Sequence, residues 1–362
     1  MYEDEQTSVK AIAFYLPQYH PIPENDAWWG KGFTEWRAVV RARPSFAGHH
    51  QPHEPADLGY YDLRVRETRI EQAELARRHG IHGFCYYHYW FDGKRLLDRP
   101  LQEVMEAGEP DFSFCVAWAN EQWTRVWNGE PEQVLMAQSY RAGWAADFIL
   151  DLLPMLLDPR YIRIDGKPLI LICRVGLVPD IQGAVGEWRR VCREHGIDDL
   201  FVAGIESVDR FDPRLLGLDG AVEFPPFADR LMCYSRRDLQ LTDETFSGIV
   251  ADYPSYVSEC LRREDPGYVW FRGIMPGWDN TPRRGARAKI FLGSTPSEYR
   301  RWLDGLLRWT IEQRAPGQRL VFVNAWNEWA EGAHLEPDEK FGLAYLRETQ
   351  AALLQGGSSH VA

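Results

Sequence analysis

Residues 320–332 read LVFVNAWNEWAEG, four apolar residues followed by a turn rich in amides, indoles and carboxylates. A run that short and that apolar fits a strand buried on both faces, the kind a parallel sheet uses. Working outward, seven similar runs occur at 9–14, 83–87, 112–117, 168–173, 200–205, 220–224 and 272–275. Stretches with helical period separate most of them. Residues 64–79 stop at Gly80 and residues 181–195 stop at Gly196, while Thr295-Pro-Ser-Glu298 reads as N-cap, first-turn proline and capping-box glutamate of a helix running through Arg314. Parallel strands need crossover helices, and eight of them close a sheet on itself. The pattern therefore predicts an α/β fold, a (β/α)8 TIM barrel with elaborated βα loops. The rival, a doubly wound sheet, is weakened because no GxGxxG or GxxxxGK[ST] follows any candidate strand. Segments 15–63 and 225–271 exceed simple βα connections and are expected to cover the catalytic face. One catalytic domain over 1–356 is expected, with a disordered tail at 357–362.

The 362 residues are 45% hydrophobic and 26% charged, which excludes disordered and fibrous classes. No apolar run is long enough for a membrane span, and the opening MYEDEQTSVK is acidic where a signal peptide would be basic, so a cytoplasmic location is expected. Six cysteines are widely spaced without a CxxC pair and read as free thiols, mostly buried. A net charge of −12 with scattered basic residues argues against nucleic-acid partners. Aromatic residues reach 13%, many in polar company, as in WWGKGFTEW and NAWNEWAEG. Sugar rings stack on such rings while neighbouring amides and carboxylates bind their hydroxyls, so the expected partner is an oligo- or polysaccharide.

In a barrel, residues just beyond each strand face the active site. There Glu328 and Glu331 are the sharpest feature. Glycoside cleavage needs one group to protonate the leaving oxygen and another to assist a nucleophile, and residues three apart in a helical turn bring two carboxylates close enough for one to raise the other's pKa. The plainer alternative is an acidic helix start. The fourth strand ends in Cys173-Arg174 and the seventh offers Asp279 rather than Glu, so the pair of glutamates on different strands used by many barrel glycosidases is missing. Two carboxylates on one loop suggest instead that one deprotonates a sugar hydroxyl, which itself attacks the anomeric carbon, while the other protonates the leaving group. Asp279 reads either as a hydroxyl ligand or as an Asx turn. Asn120 and Glu121, between Trp118 and Trp123, read as hydroxyl ligands or a helix cap. Glu206 and Glu223 either serve the site or pair with a buried arginine. His49, His50 and His53 lack the spacing of a metal set and read as a polar loop, so neither metal nor cofactor is expected.

The runs FYLPQYHPIPENDAWWGKGFTEW (14–36), HQPHEPADLGYYDL (50–63), GFCYYHYWFDGKRLL (83–97), FCVAWANEQWTRVWNG (114–129), YIRIDGKPLILI (161–172), PGWDNTPRR (276–284) and VFVNAWNEWAEGAHLEPD (321–338) resemble the WbsX-like, glycosyltransferase-labelled proteins of bacterial polysaccharide clusters. These are in turn similar to glycoside hydrolase family 99, the endo-α-mannosidases and endo-α-mannanases. The resemblance implies a retaining hydrolase of α-linked manno-configured or related residues, acting through a 1,2-anhydro sugar formed by the substrate's own 2-hydroxyl. It implies Glu328 as base for that hydroxyl and Glu331 as general acid. Substrate contacts are expected from Tyr15, Tyr19, Trp28, Trp29, Glu35, Trp36, Tyr87, Tyr89, Trp118, Asn120, Glu121, Trp123, Glu206, Trp278, Asp279, Asn324, Trp326 and Asn327. Two other functions compete: a glycosyltransferase of O-antigen or capsule assembly, and a non-catalytic glycan-binding barrel.

Overall fold

A computed structural model describes residues 9–125, 130–207, 210–227 and 231–358. Eight parallel strands form its centre: β1 (Lys10–Tyr15), β2 (Ile81–Phe91), β3 (Ser113–Trp118), β4 (Lys167–Ile172), β5 (Phe201–Glu206), β6 (Gly220–Glu223), β7 (Trp270–Ile274) and β8 (Leu320–Val323). Each pairs with its sequence neighbour, and β1 pairs with both β2 and β8, in the registers Ala13↔Phe84 and Ala13↔Val323, so the sheet closes into a (β/α)8 barrel. All eight expected strands are present, with ends shifted by a few residues except on β2, which runs on to Phe91.

Their residues explain why they are strands. LILI in β4 and LVFV in β8 are buried on both sides, the interior on one and the helices on the other. Rings of Phe14, Phe322, Phe271 and Phe201 touch in succession and link β1, β8, β7 and β5 through the barrel. The outer layer holds α1 (Arg66–Arg78), α2 (Arg99–Ala107), α3 (Trp144–Leu156), α4 (Ile181–Glu194), α5 (Tyr253–Leu261), α6 (Pro296–Gln313) and α7 (Ala344–Ser358). Thr295 caps α6 as its sequence predicts, accepting from the Glu298 amide at 3.2 Å. The β5–β6 crossover departs from the expected βα repeat, since the described residues there contain only the 3-10 turn Pro213–Leu216. The expected tail begins within the last turn of α7, and residues 359–362 lie outside those described.

The two long loops do meet. Ile249–Asp252 pairs in parallel with Lys289–Leu292, and Phe46 of the first loop joins Phe246, Val250, Ala288 and Ile290 in a small separate core. A third elaboration was not anticipated: after β3 the strands Trp123–Arg125 and Glu130–Met136 form an antiparallel pair. Between β6 and β7 the buried Glu223 bonds Arg272 at 2.7 Å and also pairs with Arg263, which settles its role as a partner of buried arginine. The six cysteines are free thiols, and Cys233 is exposed where burial was the general expectation.

Gly273 fixes the spacing of β7 against β6. A Cβ at this position would lie 1.9 Å from the Glu223 carbonyl oxygen. Gly273→Ala must push the strands apart and is expected to lower stability by about 1–3 kcal/mol. Urea unfolding checks this, and an unchanged midpoint would show that the strands respace without cost.

Candidate active site

The turn after β8 carries the two glutamates. Asn327–Glu328 pairs back on Ala333–His334, and Trp329–Glu331 forms a 3-10 turn between them. Gly332 closes the turn at φ 59°, and a Cβ there would stand 2.9 Å from the Asp279 amide nitrogen. Asn327 clamps the turn to the end of β1: its Oδ1 accepts from the Leu16 amide at 2.7 Å and its Nδ2 donates to the Leu16 carbonyl at 3.0 Å. Tyr19 donates to the Asn327 carbonyl at 2.9 Å and accepts from the Trp329 amide. Trp329 stacks on His334 at 3.8 Å and donates its Nε1 to Glu336 at 2.6 Å. Glu336 also accepts from Tyr61 at 2.7 Å and Gln72 at 2.6 Å, yet burial still pushes its carboxyl up to about 7. The support under Glu328 is therefore a packed network of hydrogen bonds. Rigid support of this kind holds reacting groups in one geometry.

Three carboxylates converge on Arg283. Its Nη2 bonds both oxygens of Glu35, at 2.8 and 2.9 Å, and also Glu328 Oε2 at 2.8 Å, while its Nη1 stands 2.7 Å from Glu331 Oε1. Glu35 is fully buried, Glu328 nearly so, and the Glu331 side chain keeps 18% of its surface exposed. Burial pushes Glu328 up to about 8; Arg283 opposes the rise, and the charges of Glu331 and Glu35 add to it. Burial likewise raises Glu35. Burial works against the charge of Arg283, but Glu35, Glu331 and Glu328 together hold it protonated more firmly than a free guanidinium. Closeness of the two glutamates was expected, and burial favours the protonated form of Glu328.

Asp279 positions this arginine. Its Oδ1 accepts from the Thr281 amide at 3.0 Å and the Thr281 hydroxyl at 2.5 Å, at the start of the short helix Thr281–Arg284 that carries Arg283. Its Oδ2 accepts from His49 Nε2 and Gln51 Nε2, both at 2.7 Å. Burial is the largest influence and opposes its ionisation, but the His49 bond, the charges of His49 and His53 and the Thr281 bond together outweigh it and hold the carboxyl below its usual range. With both oxygens engaged and 6% exposure, Asp279 forms the Asx turn that was one of its two readings.

A cavity of about 470 Å³ opens above Glu328. Of the expected substrate contacts it brings together Trp29, Tyr87, Tyr89, Glu121 and Trp123, with Gln18, Gln122, Phe224, Arg174 and Arg283 completing the walls. Glu121 pairs with Arg174 at its edge. Several others lie behind this lining. Trp118 is fully buried against Phe148, with its Nε1 on the Trp90 carbonyl. Asn120 ties β3 to β4 through both its amide atoms and the Arg174 backbone. Tyr15 bonds Gln72, and Trp36 packs on Trp329 and donates to the Tyr61 carbonyl. Glu206 accepts from Tyr268 at 2.8 Å and Trp270 at 3.0 Å. Asn324 donates to the Pro225 carbonyl, Trp326 is fully buried, and Trp278 lines a different cavity behind the glutamate turn. For Tyr15, Trp36, Trp118, Asn120, Glu206 and Asn324 the polar atom makes a structural hydrogen bond rather than facing the cleft. Tyr19 and Asn327 hold the turn, Glu35 faces Arg283, and Trp28 touches Trp123.

Arg283 and Glu336 were missed as functional groups. Both sit inside quoted motifs, PGWDNTPRR and HLEPD, where the first of two arginines and a third glutamate were signals without an assigned partner. Among the described residues one group has the ligand types for a cation, His53, His334 and Asp338, whose donor atoms lie within 4.8 Å of one another. His53 Nδ1 and His334 Nε2 are 3.0 Å apart, and His334 Nδ1 meets the Glu336 carbonyl.

Fold and site define a (β/α)8-barrel protein with a carboxylate and aromatic cleft on the C-terminal rim. The chain belongs to the family described as glycosyltransferase WbsX, whose model matches residues 11–349. It is 44% identical over 342 residues to the WxcX proteins of two Xanthomonas campestris pv. campestris strains, covering 94% of this chain and 49% of theirs. The chain thus spans about half the length of these curated relatives. In structure it is similar to a glycoside hydrolase-like protein (TM-score 0.60, 14% identity, 96% of this chain and 94% of that one). It is also similar to the GH99 endo-α-mannosidase of Bacteroides thetaiotaomicron in complex with bis-tris-propane (TM-score 0.57, 13% identity, 97% and 98%). At such identities the likeness is one of fold.

Proposed function

We propose that the protein is a retaining glycoside hydrolase acting on a polysaccharide or oligosaccharide, with α-linked manno-configured or related residues as the units cleaved. The observation that carries this is the pair Glu328 and Glu331 on one turn, held by Arg283 under an aromatic cleft, with Cys173 and Arg174 in the cleft wall after β4. Glu328 takes the proton of the sugar 2-hydroxyl as its oxygen attacks the anomeric carbon. The glycosidic bond breaks, and its oxygen leaves with the proton of Glu331. Glu331 then deprotonates a water that opens the 1,2-anhydro ring, and the 2-oxygen recovers its proton from Glu328. Two inversions at one carbon retain configuration.

A Glu328 carboxyl near pH 8 gives the test its sign. A base must be ionised, so kcat/KM on an α-manno-configured oligosaccharide should rise with pH and level off above about 8. In Glu328→Gln this limb should vanish with the activity. A limb falling through the same region would make Glu328 the proton donor and reverse the two roles.

The family description favours a second reading, glycosyl transfer from an activated sugar. Parallel incubations with a sugar nucleotide and with purified polysaccharide separate the two. New glycan from the first, without cleavage of the second, would replace the hydrolase reading.

A further inference from the structure

A second cavity, of about 660 Å³, adjoins the cleft, and Trp29, Arg283 and Arg284 line both. Besides Arg283, its walls carry five charges of one sign: Arg37, Arg41 and Arg43 from the first loop, and Arg284 and Arg287 from the loop after β7. Among the described residues Asp243 is the single carboxylate in the lining, and its Oδ1 already accepts from the Thr245 amide at 2.9 Å and hydroxyl at 2.6 Å. None of the five arginines has an ion-pair partner among the described residues. Arg37 reaches only the Trp29 carbonyl, and Arg43 the carbonyls of Val40 and Ala42. Other surface arginines are matched with acids, among them Arg64 with Asp62, Arg190 with Glu187, Arg214 with Asp212 and Arg301 with Glu298.

In a chain of net charge −12, five unmatched guanidinium groups around one cavity stand out. Their mutual repulsion is unfavourable until an anion enters, and a concave site lined by one sign of charge concentrates counter-ions. Guanidinium forks match the oxygen pairs of carboxylate and phosphate. Trp28, Trp29 and Phe33 add the apolar faces on which a sugar ring stacks.

We infer that this cavity is an anion subsite, receiving an acidic group carried by the glycan on one side of the linkage held over Glu328. The inference rests on reading the cleft as a glycan site and specifies its substrate as anionic. The oxyanion belongs either to the carboxylate of an acidic sugar or to a phosphate linked to the saccharide.

Calorimetric titration with sodium glucuronate, inorganic pyrophosphate and neutral methyl glucoside tests this without requiring turnover. At least one anion should bind while the neutral glycoside does not, and binding should weaken between about 50 and 300 mM salt. Arg41→Ala/Arg287→Ala, both exposed positions, should weaken anion binding at least about tenfold, and Glu328→Gln should leave it within about twofold of the parent. Preference for glucuronate assigns the site to an acidic sugar, and preference for pyrophosphate assigns it to a phosphate-linked one. Failure of both anions to bind, or binding unchanged in the double variant, overturns the proposal. Loss of binding in the double variant, with hydrolysis indifferent to Glu328 and Glu331, would uphold the subsite and reject the hydrolase.

Discussion

Glu331→Gln is expected to lose about 10²–10⁴-fold in kcat/KM on an oligosaccharide with a poor leaving group, the usual worth of a general acid. On a glycosyl fluoride, whose departure needs little protonation, much of the activity should return. Glu328→Gln should fail on both, because its proton comes from the nucleophile and no choice of leaving group replaces it. A 2-deoxy substrate should be inert for the same reason, and added azide should not trap an enzyme-linked sugar. The geometry behind this is the 18% exposure of the Glu331 side chain against the near-complete burial of Glu328, with both within 2.8 Å of one guanidinium. Turnover of the 2-deoxy sugar, or a product of inverted configuration, would remove the 2-hydroxyl as nucleophile and return Glu328 to an ordinary base.

The barrel was legible because its cause is local. Each strand is a short apolar run bounded by turn signals, and β4 and β8 need no information beyond LILI and LVFV. The glutamate pair was legible for a similar reason, being three residues apart on one turn. What could not be read is which polar residue faces the cleft and which satisfies a neighbour. Asn120, Asp279 and Glu206 all sit at or just beyond strand ends, and each spends its oxygens on the scaffold. Their partners, at Arg174, His49 and Trp270, lie between 54 and 230 residues away. Arg283 was obscured by the same distance, since Glu35 is 248 residues from it and no local pattern couples them. The crossover after β5 carries a 3-10 turn where a strict βα alternation would place a helix.

Removal of that arginine should have the largest structural effect. Arg283→Met leaves Glu35 and Glu328 buried without their common cation, and breaking a buried ion pair from one side costs about 3–5 kcal/mol. The carboxylates have an escape, which is to bind protons, and that fixes the pH dependence. Burial already lifts Glu328 from the usual 4.5 to about 8 and raises Glu35, so the folded protein binds protons more tightly than the unfolded chain. Stability from such groups is fully present below about pH 4.5 and is lost as pH rises through the folded value. Without Arg283 both carboxyls should rise further, since the one charge opposing the rise is gone. Thermal unfolding of Arg283→Met should therefore show a modest loss at pH 5 and a much larger one at pH 8, and Arg283→Met/Glu35→Gln should recover part of the loss at pH 8 only. Equal losses at the two pH values would mean that Arg283 contributes packing rather than charge. Activity should be absent from the variant at either pH, because Glu328 stays protonated and the 2-hydroxyl then has no base.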